Sequence, residues 1–348
     1  MNVGILTYHW EDNYGATLQA YATYKAVASL GHNPVFIDLR LPYSPGLIGR
    51  IVFGLKHKRF DDFRKRFFRH LTPVTYRDVD SLRRNPPALD VYLTGSDQTW
   101  NPLIAKDLLP AFFLTFGDTD VRRVTYATSI GLNEWSGSPA ISDDEIRTAL
   151  DSFSHINLRE DSAIEICRAR FGHEARQVVD PVLLFSDYPE LVPDRAESGE
   201  VVVYKLIDDS EFYRLALATA HHIGAPIRSI GSVRRPKGFR AGYPERVEKW
   251  VERIATARLV LTDSFHGTVF SLLYHRPFVV YVGDPARVTR IRSLLEQLGL
   301  TDRILSHHSS VADMKRLAMT PIDWDHVDST LASLRKDSFD SLSRSLTP

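Results

Sequence analysis

LVLTDSFHGTVFSLLYHRPFVVY, residues 259–281, holds an apolar run, a short polar turn with one histidine, a helix-compatible stretch and a second apolar run. Leu259–Leu261 predicts a buried strand ending at Thr262 and Asp263, Thr268–His275 a helix, and PFVVYVG the strand that follows. Strand, helix, strand in this order implies a parallel pair joined by a helical crossover, which makes the domain α/β. Gly267 lets the backbone turn closely into the helix, so His266 projects from a strand-to-helix turn beside free amides that favour negative charge. A histidine that changes charge near neutral pH suits acid–base work there; the competing reading is a structural or merely capped histidine.

The same alternation extends in both directions. Upstream come VGILTY, the helical ATLQAYATYKAVASL closing at Gly31, then PVFIDL, DVYLTG, VRRVTYATSI and HINLRED, with a helix over Ser162–Phe171 and QVVDPVLLF as a strand or extended segment. Residues 186–200, SDYPELVPDRAESGE, are rich in Pro and acid without sustained periodicity, which marks a linker. After it VVVYKLI, a helix over Ser210–Ile223, PIRSIG, a helix near Pro244–Thr256 and the opening stretch form a second alternating unit. The expected organisation is therefore an N-terminal Rossmann-like domain over 1–185 with a basic helical insertion at about 42–87, the linker, and a second such domain over 201–310. A helical tail, 311–348, has the option of packing back on the first domain. Two Rossmann-like domains facing a central cleft are the simplest assembly.

At 348 residues the chain has length for two cores. Lys plus Arg equal Asp plus Glu at 43 each, so no global basic field of the kind nucleic-acid binders show is present. The single cysteine, Cys167, excludes an internal disulfide and a cysteine-cluster metal site and fits a reducing, cytoplasmic setting. No HExxH spacing, phosphate loop, dinucleotide fingerprint or GxSxG elbow occurs, so no metal is expected and the usual hydrolase, NTPase and dehydrogenase readings lose support. Apolar runs are too short for a membrane helix, and the first run reads as a strand rather than a signal peptide. In GRIVFGLKHKRFDDFRKRFFRHL, residues 49–71, eight Lys or Arg accompany two Asp, and Phe60, Phe63 and Phe67 recur at helical spacing. The ordinary reading is an amphipathic helix whose aromatic side packs on its own domain and whose basic side is solvated; the other is a surface that meets an anionic membrane or a phosphorylated acceptor.

In parallel α/β sheets ligands collect where strands end, and the remaining polar motifs lie at such points. Asn13 and Gly15 precede a helix whose first amides suit an anion, although a plain capped start explains them equally. In GSDQTWNP, Ser96 supports a tight turn, Asp97 and Gln98 offer a carboxylate and an amide, and Trp100 offers a flat wall for a sugar. Arg159, beside Glu160 and Asp161, reads either as a structural ion pair or as a forked donor to a carboxylate or phosphate.

NYGATLQAYA, GSDQTWNP, LREDSA, VVDPVLLF and above all LTDSFHGTVFSLLYHRPF with RIRSLLEQLGLTDRI resemble the polysaccharide pyruvyl transferase family, in order from about residue 3 to residue 305. The resemblance implies a GT-B-like pair of domains, phosphoenolpyruvate as co-substrate with no other cofactor and no obligatory metal, and transfer of its pyruvyl unit to two hydroxyls of a sugar. The acceptor would be a cell-surface or exopolysaccharide glycan or its lipid-linked precursor, handled at the inner face of the membrane. It places His266 as acid or base and phosphate contact, with Asp97 and Asp263 activating a hydroxyl or orienting it. Arg159, Ser264, Gly267 and Thr268 would border the donor; Asn13, Gly15, Ser96, Gln98 and Trp100 would serve the substrate. Some members carry a basic residue where this chain has Ser264, and Arg290, Arg292 or Lys205 could replace the missing cation. A nucleotide-sugar glycosyltransferase and a non-catalytic glycan-binding homologue are the alternatives.

Overall fold

The computed structural model describes residues 1–40, 47–193, 196–231, 236–241, 245–283 and 288–347, without side chains for 47–53. Parts of the expected insertion, linker and basic segment, and Pro244 at the start of an expected helix, lie outside the described residues. The chain divides into two units, one of Met1–Gly46, Arg64–Leu184 and Ala332–Pro348, the other of Leu47–Phe63 and Phe185–Leu331.

The first unit begins with β1 (Asn2–Leu6), α1 (Tyr14–Ser29) and β2 (Asn33–Phe36). After α2 (Leu47–Phe67) come α3 (Val79–Arg84), β3 (Val91–Thr94), the short α4 (Pro102–Ala105) and α5 (Leu109–Phe112), and β4 (Arg122–Thr125). Then follow α6 (Asp143–Leu150), β5 (Phe153–His155), β6 (Asn157–Leu158), α7 (Asp161–Ile166) and β7 (Arg176–Gln177). Among the described residues the strands form a parallel sheet in the order β2-β1-β3-β4-β5, with β6 and β7 as a separate pair. Strand β3 is buried throughout, as a parallel strand covered on both faces must be.

The second unit runs through β8 (Val201–Tyr204), α8 (Ser210–His222), β9 (Ile227–Ile230), β10 (Arg240–Ala241), α9 (Val247–Ala255), β11 (Leu259–Thr262) and α10 (Phe265–Leu273). It continues with β12 (Phe278–Val282), α11 (Thr289–Gln297), β13 (Ile304–Ser306) and α12 (Val311–Met319), and α13 (Trp324–Leu346) begins there. Its described strands are parallel in the order β10-β9-β8-β11-β12-β13. Chain direction along the sheet reverses between β1 and β3 in the first unit and between β8 and β11 in the second, and such switch points open a crevice at the carboxyl ends of the strands.

Helix α10 starts at Phe265, three residues before the expected Thr268, because Ser264 caps it: its Oγ accepts the Gly267 N–H at 3.3 Å. The expected strand in QVVDPVLLF shrinks to β7 and a tight turn, Pro181–Leu184, since Pro181 has no N–H to give a ladder and Asp180 Oδ1 takes the Val182 N–H at 3.0 Å. In α2, Phe60 and Phe63 are fully buried while Lys58, Lys65 and Arg66 are exposed. The second half of α13 belongs to the first unit, tied there by Ser338 Oγ accepting the Val179 N–H at 3.0 Å and Ser341 Oγ donating to Asn157 Oδ1 at 2.7 Å.

Candidate active site

In the first unit the turn after β3 carries Ser96, Asp97 and Gln98. Asp97 sits at φ 82°, the left-handed region, which Asp tolerates through local hydrogen bonds. Here Oδ1 accepts the Gln98 N–H at 2.8 Å, and the Asp97 carbonyl accepts the N–H of Thr99 at 2.8 Å and of Ser129 at 3.0 Å. Arg159 follows β6 and donates to Asp180 Oδ2 at 2.8 Å and to Ser96 Oγ at 3.2 Å, with Asp97 Oδ1 at 3.8 Å and Glu160 Oε2 at 3.9 Å. Its side chain is only 2% exposed, against 17% for Asp97. Glu160 Oε1 collects three donors, Ser129 Oγ at 2.8 Å, the Ile130 N–H at 2.9 Å and the Gly131 N–H at 2.8 Å. The guanidinium is thus a buried hub that joins the turn after β3 to the Asp180 segment beyond β7, Glu160 ties in the loop after β4, and Asp97 is the member of the cluster that reaches the surface.

The remaining first-unit candidates take ordinary structural places. Asn13 Oδ1 caps α1 by accepting the Ala16 N–H at 3.2 Å, and Gly15 is buried on that helix's first turn. Gln98 Oε1 accepts from Asn101 Nδ2 at 3.1 Å, and a Cβ on Gly131 would lie 2.2 Å from that oxygen, so the two loops are fitted to each other. Trp100, expected to offer a flat wall to a sugar, is 0% exposed: its ring stacks on Phe113 at 4.6 Å and its N–H donates to the Phe112 carbonyl at 2.9 Å. The ring is a core element, and its apolar area explains why.

One cluster was not singled out from the sequence. Beyond β1, His9 Nε2 meets Asp38 Oδ1 at 3.2 Å, its ring stacks on Phe36 at 5.1 Å, and Nδ1 lies 3.2 Å from the Thr7 carbonyl. Asp38, just past β2, also accepts two bonds from Arg40, both at 2.7 Å, and one from Thr75 at 2.6 Å. Burial alone would raise this carboxyl, but the bonds from His9, Arg40 and Thr75 outweigh it and hold Asp38 far below the usual carboxylate range. Burial pushes the His9 imidazole down, against the pull of Asp38. The available signal was position: both residues follow neighbouring parallel strands, β1 and β2, though 29 residues separate them.

In the second unit, Asp263, Ser264, His266, Gly267 and Thr268 share the turn from β11 into α10. Thr262 Oγ1 donates to the Tyr204 carbonyl at 2.6 Å and accepts the Ser264 N–H at 3.0 Å, while Thr268 Oγ1 donates to the Ser264 carbonyl at 3.1 Å. A Cβ on Gly267 would stand 2.5 Å from Thr262 Oγ1, which is the close approach that only glycine allows. Asp263 pairs with Lys205 Nζ at 2.8 Å across the switch point and accepts the N–H of Leu206 at 2.7 Å and of Ile207 at 3.2 Å. Asp263 therefore holds the segment after β8 in place. Tyr204, buried beneath this pair, has its hydroxyl pushed upward first by burial and then by the Asp263 charge. His266, 6% exposed, lies on the first turn of α10 with its ring edge-on to Phe265 at 5.3 Å. Arg290 stands with its guanidinium carbon 5.9 Å from the centre of the Phe265 ring, whereas Arg292 is exposed further along α11. Of the candidates, Ser96, Asp97 and Arg159 thus cluster in the first unit, and Asp263, Ser264, His266, Gly267 and Thr268 share one turn in the second. Among the described residues no three His, Cys, Asp or Glu side chains are grouped to hold a metal ion, and no helix is long and apolar enough to cross a membrane.

A family model described as polysaccharide pyruvyl transferase matches residues 13–285, a span that includes Asp97, Arg159 and His266. No curated protein matches the chain. Among solved structures, Arabidopsis thaliana UGT89C1 complexed with UDP is 12% identical, covers 99% of this chain and 98% of its own, and superposes with a TM-score of 0.56. UDP-GlcNAc 2-epimerase from Neisseria meningitidis bound to UDP-GlcNAc gives 10% identity, 99% and 100% coverage and a TM-score of 0.55. AviGT4, a glycosyltransferase involved in avilamycin A biosynthesis, gives 12%, 99% and 98%, and 0.53. At such identities these likenesses speak for the fold alone, and that fold is GT-B, with two Rossmann-like domains.

Proposed function

The chain belongs to the polysaccharide pyruvyl transferase family, and from that premise we propose that it moves the pyruvyl unit of phosphoenolpyruvate onto two hydroxyls of a sugar, releasing phosphate. The acceptor is a glycan of a polysaccharide, an oligosaccharide or a lipid-linked precursor, and the donor is the co-substrate, with no other cofactor and no metal. The observation that carries this reading is the turn from β11 into α10, where His266 lies on the first turn of a helix capped by Ser264 at a sheet switch point. A helix start favours an anionic group, and an imidazole there can hold or pass a proton.

The chemistry asks for a proton at the methylene carbon, which becomes the methyl group, and leaves the neighbouring carbon open to attack. One hydroxyl adds there, the bond to the phosphate oxygen breaks, and the second hydroxyl closes the ketal. Of the two hydroxyl protons lost, one balances the new methyl hydrogen and the other leaves with phosphate. His266 is our candidate for the proton at the donor and Asp97 for the hydroxyl, since Asp263 is engaged by Lys205 and two backbone amides. Arg159 supports the Asp97 turn from below through Ser96 and Asp180. Alongside this reading we place the protein in the cytoplasm, in contact with the inner membrane face through the basic segment, on which Lys58, Lys65, Arg66 and Arg69 are exposed.

The GT-B plan also fits a nucleotide-sugar transferase, and one experiment separates the two. Phosphoenolpyruvate at about 100 times its Kd is expected to stabilise the native chain by roughly 2.7 kcal/mol in thermal unfolding, and UDP to leave it unmoved. Phosphate release should then require a glycan acceptor and fall by about 10²–10⁴ in His266→Ala. A shift with UDP alone would promote the glycosyltransferase; donor and glycan binding without phosphate release would leave a non-catalytic homologue.

A further inference from the structure

Helices α10 and α11 follow adjacent parallel strands, β11 and β12, so both begin at the carboxyl edge of the same sheet. Their starts are joined through side chains: the Arg290 guanidinium carbon lies 5.9 Å from the Phe265 ring centre, and that ring meets His266 edge-on at 5.3 Å. The two starts differ in how their amides are served. Ser264 gives α10 an oxygen acceptor, whereas Val288 gives α11 none. Thr289, the first residue of α11, is 7% exposed, and its hydroxyl oxygen is shielded from solvent without a hydrogen-bond partner among the described residues. A buried hydroxyl is costly to leave unpaired, and natural structures complete such a group with an ordered water or a bound ligand.

We propose that the start of α11 is a second anion subsite of the donor pocket, built from the Thr289 hydroxyl, the first-turn amides and the Arg290 guanidinium. It takes the carboxylate of the donor, while the neighbouring turn at His266 takes the phosphate. This rests on the phosphoenolpyruvate reading given above and adds Thr289 to it. A planar fork beside a hydroxyl donor matches the two oxygens of a carboxylate, and a donor with anionic groups at both ends needs two such places. The subsite supplies the cation that Ser264 does not, through Arg290; Arg292 lies outside it, exposed to solvent.

Calorimetric titration of the full chain with phosphoenolpyruvate and, separately, with inorganic phosphate tests the assignment. Thr289→Val keeps the shape of the side chain and removes only the hydroxyl, so its melting temperature should stay level or rise, while the Kd for phosphoenolpyruvate should rise about tenfold. Arg290→Ala should raise that Kd about 10–100-fold, and Arg290→Lys should recover little of it, since an ammonium does not reproduce the fork. The Kd for phosphate alone should be unchanged in both Thr289→Val and Arg290→Ala. If the unaltered chain binds phosphoenolpyruvate and both variants bind it equally well, the subsite is refuted. If the unaltered chain ignores phosphoenolpyruvate but binds UDP, and Arg290→Ala weakens that, the donor reading falls and the anion subsite stands.

Discussion

Asp38 carries His9, Arg40 and Thr75 on one buried carboxylate, and this sets an acid limit on the first unit. Its carboxyl lies below the ordinary range in the folded chain, so on acidification the unfolded chain takes up a proton first. The stability Asp38 contributes is therefore complete above an unfolded carboxyl pKa near about 4 and is lost as pH falls toward the depressed folded value. Asp38→Asn is expected to cost about 3 kcal/mol at neutral pH, by stranding its buried partner, and to flatten the acid limb of stability. Urea midpoints measured from pH 7 downward check this, and an acid slope equal to that of the parent chain would count against it. Arg159 poses the complementary case. Its 2% exposure and its bond to Asp180 predict that Arg159→Ala loses about 3–5 kcal/mol, from a buried carboxylate left unmatched, and that Arg159→Lys keeps part of it. An unaltered urea midpoint for Arg159→Ala would remove its role as hub.

At the scale of elements, the turn into α10 rests on the fit between Gly267 and Thr262. The Thr262 hydroxyl ties β11 to the Tyr204 carbonyl of β8 and cannot swing aside without breaking that bond. Gly267→Ala would bring a methyl to 2.5 Å from it, and overpacking of this kind costs about 1–3 kcal/mol. Gly54→Ala on α2, where nothing lies within 4 Å, should instead gain up to about 1 kcal/mol in helix propensity. Thermal unfolding of the pair gives the comparison, and equal shifts would mean that the turn relaxes freely. This element was also the most legible in the sequence, because an apolar run, a Ser cap, a glycine and a helical stretch carry their own local reasons. The partners of Arg159 were not legible: Asp180 is 21 residues away, and only the pairing of β6 with β7 brings the Asp180 segment back beside it. Trp100 misled for the same reason, since a loop aromatic looks available until Phe113 is seen stacked on it.

On the scale of the whole molecule, the alternation of strands and helices announced two parallel sheets, but not which distant segments complete each unit. Residues 332–348 belong to the first unit although Phe185–Leu331 of the second precede them in the chain, and nothing local in STLASLRKDSFDSLSRSL says so. With the contacts in view, Ser338, Ser341 and Ser345 form a buried small-residue stripe, and two of them bind Val179 and Asn157. Leu342 and Leu346 are fully buried beside them. A chain ended after Leu331 would forgo about 1.5–3 kcal/mol for each of these leucines and would also leave the Val179 N–H without its Ser338 acceptor, at about 1–3 kcal/mol. Together these rival the 5–15 kcal/mol that holds an ordinary domain. We expect the shortened chain to lose the cooperative unfolding of its first unit, and Leu342→Ala in the full chain to lower stability by about 2–5 kcal/mol. Amide exchange resolved along β1, β3 and β4 provides the measurement. Undiminished protection there after removal of 332–348 would show that the first unit stands on Met1–Gly46 and Arg64–Leu184 alone and that its last helix merely rests upon it.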